Sequence, residues 1–136
     1  MHPFLQHFPD TKKQELHELM QLVAQVAPLE TPSYYDGKNK EGKQVSNPTI
    51  GFGTYMHRYA DGSMGPMFRL GISSNSVGFS IYVLGLKDKT SLKERFATVI
   101  GKAKVTGYCL QFKKLSDLNA SVLLEFLQFG LIESNA

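Results

Sequence analysis

The stretch Asn47-Pro-Thr-Ile-Gly-Phe-Gly-Thr-Tyr-Met-His-Arg-Tyr-Ala-Asp-Gly62 limits what this chain can fold into more than any other part of it. Side chains alternate across a pleated strand. A strand over about Thr49–Tyr59 therefore puts Ile50, Phe52, Thr54 and Met56 on one face, and Gly51, Gly53, Tyr55, His57 and Tyr59 on the other. Ala60-Asp61-Gly62-Ser63 supplies a hairpin turn. The next strand, about Pro66–Ser73, alternates Phe68, Leu70 and Ile72 against Met67, Arg69 and Gly71. After Ser74-Asn75-Ser76, a third strand over about Val77–Leu84 sets Val77, Phe79, Ile81 and Val83 on one side. Each strand has one apolar face, which suits an antiparallel sheet covered by helices on one side.

Helical spacing supplies the cover. Leu16, Leu19, Met20, Val23, Val26 and Ala27 form one stripe of a helix over about Asp10–Ala27, with Thr11 and Gln14 spaced as a capping box and Pro28 ending it. A second helix over Thr90–Ile100 buries Leu92, Phe96, Val99 and Ile100, with Ser91 and Glu94 as its capping box and Gly101 just past its end. Val105–Phe112 reads as a fourth strand. A last helix from Ser116 or Asp117 to about Gln128 buries Leu118, Val122, Leu123, Phe126 and Leu127, and Gly130 is placed to cap it. The order αβββαβα gives an α+β fold with an antiparallel sheet of about four or more strands packed against helices. At 136 residues the chain fits one domain over 1–136. Residues 29–47 read as a long polar loop with turns at Asp36-Gly37 and Glu41-Gly42. Such length marks a mobile or a functional connection, and Tyr34 and Tyr35 stand where they could fold back over the sheet.

Several of these blocks together resemble the YdhG-like family, domain of unknown function 1801. They are Ile50-Gly-Phe-Gly-Thr-Tyr55, Arg58-Tyr-Ala-Asp-Gly62, Phe79-Ser-Ile-Tyr-Val83, Thr106-Gly-Tyr-Cys-Leu110 and Lys113-Lys-Leu-Ser-Asp117, in family order along about nine-tenths of the chain. The resemblance implies a compact α+β domain without an established activity, and a distant frataxin-like relation in which some members are described as intracellular iron chaperones. The chain departs from the family pattern at Ser73-Ser-Asn-Ser76, before Cys109 and in lacking tryptophan. Three basic positions are lost there, which argues against a phosphate cradle.

The residues favour binding over reaction. Cys109 is mid-strand, where a free cysteine is usually buried, and His57 is the only histidine of the sheet that could serve it as a base. The other histidines, His2, His7 and His17, make no metal-ligand spacing. Asp10, Glu15 and Glu18 on the first helix are diluted by Lys12 and Lys13, a poor surface for a hard cation. Gly51-Phe-Gly53 lies in a strand rather than at a strand-to-helix turn, so it does not read as a phosphate loop. Between Lys87 and Lys114 eight positive charges face two negative ones, a local excess of +6 that reads as solvated surface. What remains is the aromatic sheet face, with Tyr55, His57, Tyr59, Arg69, Tyr82 and Gln111 as candidate ligand-binding residues. No catalysis, metal or cofactor is expected. A small ligand or a protein partner is, with an iron chaperone as the alternative and a weak nucleic-acid binder third. Nucleic acid is disfavoured, no membrane association is expected, and the chain should be a monomer or homodimer. A single cysteine, and a start with neither a basic n-region nor a long apolar core, give a cytoplasmic location as the expectation.

Overall fold

The computed structural model describes residues 2–132; the outermost residues of the expected 1–136 domain lie outside them. The fold is α+β. Its main sheet is antiparallel, with six strands: β1 (Ser33–Tyr35), β2 (Thr49–Phe52), β5 (Leu70–Ser74), β6 (Phe79–Val83), β8 (Cys109–Phe112) and β7 (Lys104–Val105), in that spatial order. Between β2 and β5 in sequence, β3 (Tyr55–Arg58) and β4 (Met64–Met67) pair as a separate two-stranded sheet. Residues paired across strands share a face. One row runs Tyr34, Ile50, Ile72, Ile81, Leu110, Val105, and a second adds Phe52, Leu70 and Val83. Helices α1 (Lys13–Val26) and α3 (Ala120–Leu131) pack against β5 on this inner face, and Leu16, Leu19, Val23, Leu123, Phe126 and Leu127 join the buried cluster. The periodicities of strand and helix thus meet in one core, as the alternation required.

The expected strands are shorter than read, and the reason is local. The continuous strand over Thr49–Tyr59 breaks at Gly53, whose φ of +70° lies in the left-handed region. Its partner over Pro66–Ser73 breaks at Phe68 and Arg69. Phe52 pairs with Leu70 and Tyr55 with Met67, so the arm keeps the register of the sheet across the gap. The bend releases Phe68 from the alternation, a point on which the site depends. The fourth strand is in fact a hairpin, because β7 and β8 fold together around Thr106, Gly107 and Tyr108. The long loop is likewise structured in part: β1 pairs with β2, and Lys38 bridges Gln44. Val77, placed with the core by its spacing, is exposed in the turn before β6.

The helix ends also depart from the expected signals. Asp10–Lys12 forms a 3-10 turn ahead of α1, Asp10 pairs with Lys13 at 2.7 Å, and no side chain caps α1, so the Thr11–Gln14 box is not made. Helix α2 is only Ser91–Phe96, and Val99 is exposed beyond it. The Asp88 carboxylate accepts from the Thr90 amide and hydroxyl, displacing the Ser91–Glu94 box. Helix α3 starts later than expected, with Asn119 accepting from the Val122 amide at 3.2 Å. Gly130 is inside it and not a cap: a Cβ there would lie 2.8 Å from Leu70 Cδ1, so its bareness lets α3 close on the sheet.

One long-range bond ties the two ends of the chain. The Glu15 carboxylate on α1 accepts from the Leu115 amide at 2.7 Å, where a 3-10 turn leads to α3. Glu15→Ala leaves that half-buried amide unpaired and is expected to cost about 1–2 kcal/mol. Urea denaturation reads the loss, and an unchanged midpoint would show that water serves the amide equally well.

Candidate functional site

The outer face of the sheet carries two rows of different character. Gly51, Gly71, Tyr82 and Cys109 lie side by side, next to Tyr35, Thr49, Ser73, Ser80, Gln111 and Lys104. The paired glycines leave a trough, and the ring of Phe68, freed by the bend after β4, fills it. A Cβ on Gly71 would lie 2.5 Å from Phe68 Cε1, and one on Gly51 would lie 2.6 Å from Phe68 Cβ and from Tyr35 Cε1. Tyr35 meets Phe68 edge to face at 5.1 Å, the arrangement that ring quadrupoles favour. Phe68 is accordingly buried.

Beside that plug the face is open. A cavity of about 690 Å³ lies between it and the segment that follows β1. Asp36, Gly37, Lys38, Val45, Ser46 and Asn47 contribute to its lining from that segment. Tyr34, Tyr35, Thr49, Phe68 and Tyr82 line it from the sheet strands, and Met67, Leu84 and Tyr108 complete it. Tyr82 and Tyr108 are nearly parallel, 15° apart in plane with centroids at 6.3 Å. The wall holds its shape through short local bonds: the Asp36 carboxylate accepts from the Lys38 amide, and the Gln44 side-chain amide donates to the carbonyls of Asp36 and Ser46. Burial pushes the Tyr82 phenol pKa up, with the Ser80 hydroxyl pulling it the other way. A depression of similar volume, about 710 Å³, lies near the start of α1, but Lys12, Glu15, Glu18, Lys113 and Lys114 line it and Glu15 is already engaged there. The aromatic cavity is the one whose chemistry suits a small organic ligand, mostly apolar with a few polar groups at the rim.

The six residues singled out from sequence separate into three places. Tyr82 lines the cavity. Gln111 is exposed on the same outer face but is not part of the lining. Tyr55, His57 and Tyr59 form a ring ladder along the arm, with centroids at 5.7 and 5.0 Å, and the Tyr55 hydroxyl lies 2.6 Å from His57 Nδ1. Arg69 joins this ladder and not the cavity. Its guanidinium is 5.3 Å from the centre of the Tyr55 ring, while its Nε and Nη1 are buried without a hydrogen-bond partner. Desolvation lowers the Arg69 pKa and raises that of Tyr55, and the attraction between the two groups opposes both shifts. Gly51 and Gly53 do not open a groove floor, since Phe68 and Tyr35 cover the first and the second makes the bend. Phe68, Tyr35 and Tyr108 were missed as site residues. Alternation places Phe68 on the inner face, and only the positive φ available to Gly53 hinted that the register of faces would break.

Cys109 is buried, and burial pushes its thiol pKa up, with Ser80 and Gln111 pulling weakly against it. The thiolate fraction in the folded chain is therefore small, and alkylation by iodoacetamide at pH 8 should run at least about tenfold slower than in urea-unfolded chain. Equal rates would mean that the thiol is open to solvent. Among the described residues no three or more of His, Cys, Asp and Glu come together where they could hold a metal ion, and no helix is long and apolar enough to cross a membrane. Comparisons with protein-family models, with curated proteins and with solved structures found no match for this chain.

Proposed function

We propose that this protein is a small cytosolic binding module, without catalysis, whose site is the aromatic cavity on the outer sheet face. The observation that carries the reading is the cavity itself, about 690 Å³ with Tyr35, Phe68, Tyr82 and Tyr108 in its lining. That volume falls in the range of pockets for drug-sized ligands. The apolar body of such a ligand would replace water over Tyr82 and against the edge of Phe68, gaining roughly 25 cal/mol for each Å² of apolar surface covered. The YdhG-like resemblance is part of the same proposal, since it too implies a compact domain with no established reaction. An iron chaperone would need several carboxylates converging on one place, and Asp36 is the only one in this lining.

A fragment set of neutral flat aromatics, followed by NMR on the full chain, tests the site. The reading expects ligand-dependent shifts at Tyr82, Tyr108 and Val45 and none at His57. Tyr82→Ala removes the stacking surface and should weaken the best fragment by at least about tenfold, in line with a stacking contribution of ~1–3 kcal/mol. Shifts confined to the Tyr55–His57–Tyr59 ladder would move the site to the arm, and no shifts anywhere would end the proposal.

A further inference from the structure

We propose that the open edge of the arm is a homodimer interface: β3 pairs with β3 of a second copy of this chain, joining two arms into one four-stranded antiparallel sheet. The hydrogen-bond phase of the arm shows which backbone groups are free for this. The Tyr59 amide donates to the Ser63 carbonyl at 2.9 Å, which makes these two a bonded pair. Bonded and non-bonded pairs alternate along an antiparallel ladder. His57 with Gly65 and Tyr55 with Met67 are therefore bonded pairs, while Arg58 with Met64 and Met56 with Pro66 are not. The N–H and C=O groups of Met56 and Arg58 thus point away from β4. No other strand pairs with β3, and among the described residues these groups make no backbone bond elsewhere. Strand β1, which flanks β2, begins at Ser33 opposite Gly51, so its pairing stops before the bend and does not reach β3. The side chains of Met56 and Arg58 are exposed. The other edge of the arm is different: its outward positions are Met64 and Pro66, and Pro66 has no N–H to give, which blunts it.

A second copy is the occupant because β3 is complementary to itself in one register. Outward groups must face outward groups, so Met56 and Arg58 meet only Met56 or Arg58 of the second copy. Met56 against Met56 sets Arg58 opposite Thr54, which lies outside the strand. Arg58 against Arg58 opposes two like charges, which is destabilising across a sheet. Met56 against Arg58 avoids both faults and engages every outward group, with two hydrogen bonds in each of the two pairs. The two-fold axis then passes by His57, as an isologous interface requires. In this register Tyr55 of each copy stands directly across from Tyr59 of the other. The two ladders of Tyr55, His57 and Tyr59 become one aromatic face, and aromatic pairs across strands are favourable. A two-stranded ribbon is marginal by itself in water, and two further strands support it. So short a pairing covers less than a standard interface, and the expected dissociation constant is on the order of 100 µM.

Sedimentation velocity of the full chain, from about 10 µM to about 1 mM, reads the association. The weight-average mass should rise with concentration from 15.2 kDa towards twice that value. Met56→Pro removes an outward N–H at a position that donates nothing to β4, and should weaken the dimer at least about tenfold. A cysteine pair tests the register without relying on that variant. In a Cys109→Ser background, His57→Cys puts two thiols on the two-fold axis, with Cα atoms roughly 4.5 Å apart and within disulfide reach. Mild oxidation should cross-link it, and should leave Met64→Cys, exposed on β4, largely monomeric. A chain that stays monomeric at about 1 mM overturns the proposal. Association that ignores Met56→Pro, or cross-linking no faster through position 57 than through position 64, would place the interface elsewhere and overturn it equally. The Tyr82→Ala variant should associate as the unaltered chain does, which keeps this result separate from the fate of the aromatic cavity.

Discussion

Gly71→Ala is expected to destabilise the protein by about 3 kcal/mol, against the usual sign for a strand glycine. Alanine in a strand interior is normally worth roughly 0.5–1 kcal/mol over glycine, because it has less backbone freedom to lose. Here the added carbon would lie 2.5 Å from Phe68 Cε1 and 2.7 Å from Thr49 Cγ2, so the ring must leave the trough or β2 and β5 must part. Phe68→Ala alone should cost a similar ~3 kcal/mol by emptying the same space. The decisive measurement is the double-mutant cycle. With Phe68 already truncated, Gly71→Ala should cost under about 1 kcal/mol, a coupling of roughly 2 kcal/mol or more. Urea denaturation of the four proteins gives these numbers. Additive losses would show that the glycine is needed for some reason other than the ring.

That pair of residues also shows what a single sequence can and cannot convey. The two apolar periodicities were plain: Leu16, Leu19 and Val23 on α1, and Ile50, Ile72 and Ile81 across the sheet, are buried as their spacing required. Gly51 and Gly71 were visible as missing side chains on the outer face, but nothing in their spacing said that a ring would fill the gap. Phe68 sat on the wrong face by strict alternation, because a glycine at position 53 is equally compatible with a straight strand and with a bend. Only the paired break at Phe68 and Arg69 settles which. The hairpin of β7 and β8 was hidden for a related reason. A two-residue strand carries no period, so Val105–Phe112 reads as one strand. The Ser91–Glu94 capping box failed where Asp88 was better placed, and the Thr11–Gln14 box failed where Asp10–Lys12 forms a 3-10 turn ahead of α1. Of the site, the outward direction of Tyr82 was legible from alternation along β6. The wall from Asp36 to Asn47 was not, since a polar segment without periodicity leaves its docking to tertiary contacts.

Gly101→Ala should be the other severe substitution, at about 3–5 kcal/mol, and a second glycine separates its two causes. Gly101 has φ +114°, outside the regions open to an L side chain, which by itself costs roughly 1–3 kcal/mol. A Cβ there would also run into the carbonyl oxygen of Asp117 and lie 3.0 Å from Leu118 Cα. That is backbone, and no rotamer change can move it away. The clash falls on the junction that joins the end of α2 to the start of α3, where Lys102 donates to the Asp117 carbonyl and Asn119 donates to the Ile100 carbonyl at 2.8 Å. Asn119 is the residue that caps α3, so displacing it loosens the helix that carries Phe126 and Leu127 into the core. Gly42 has a comparable φ of +79° with nothing within 4 Å of an added Cβ, so Gly42→Ala carries the strain without the clash. It should cost about 1–2 kcal/mol. Thermal or urea melts of the two variants give the difference directly. Equal losses would mean that positive φ alone explains both glycines and that the α2–α3 junction yields to an extra carbon.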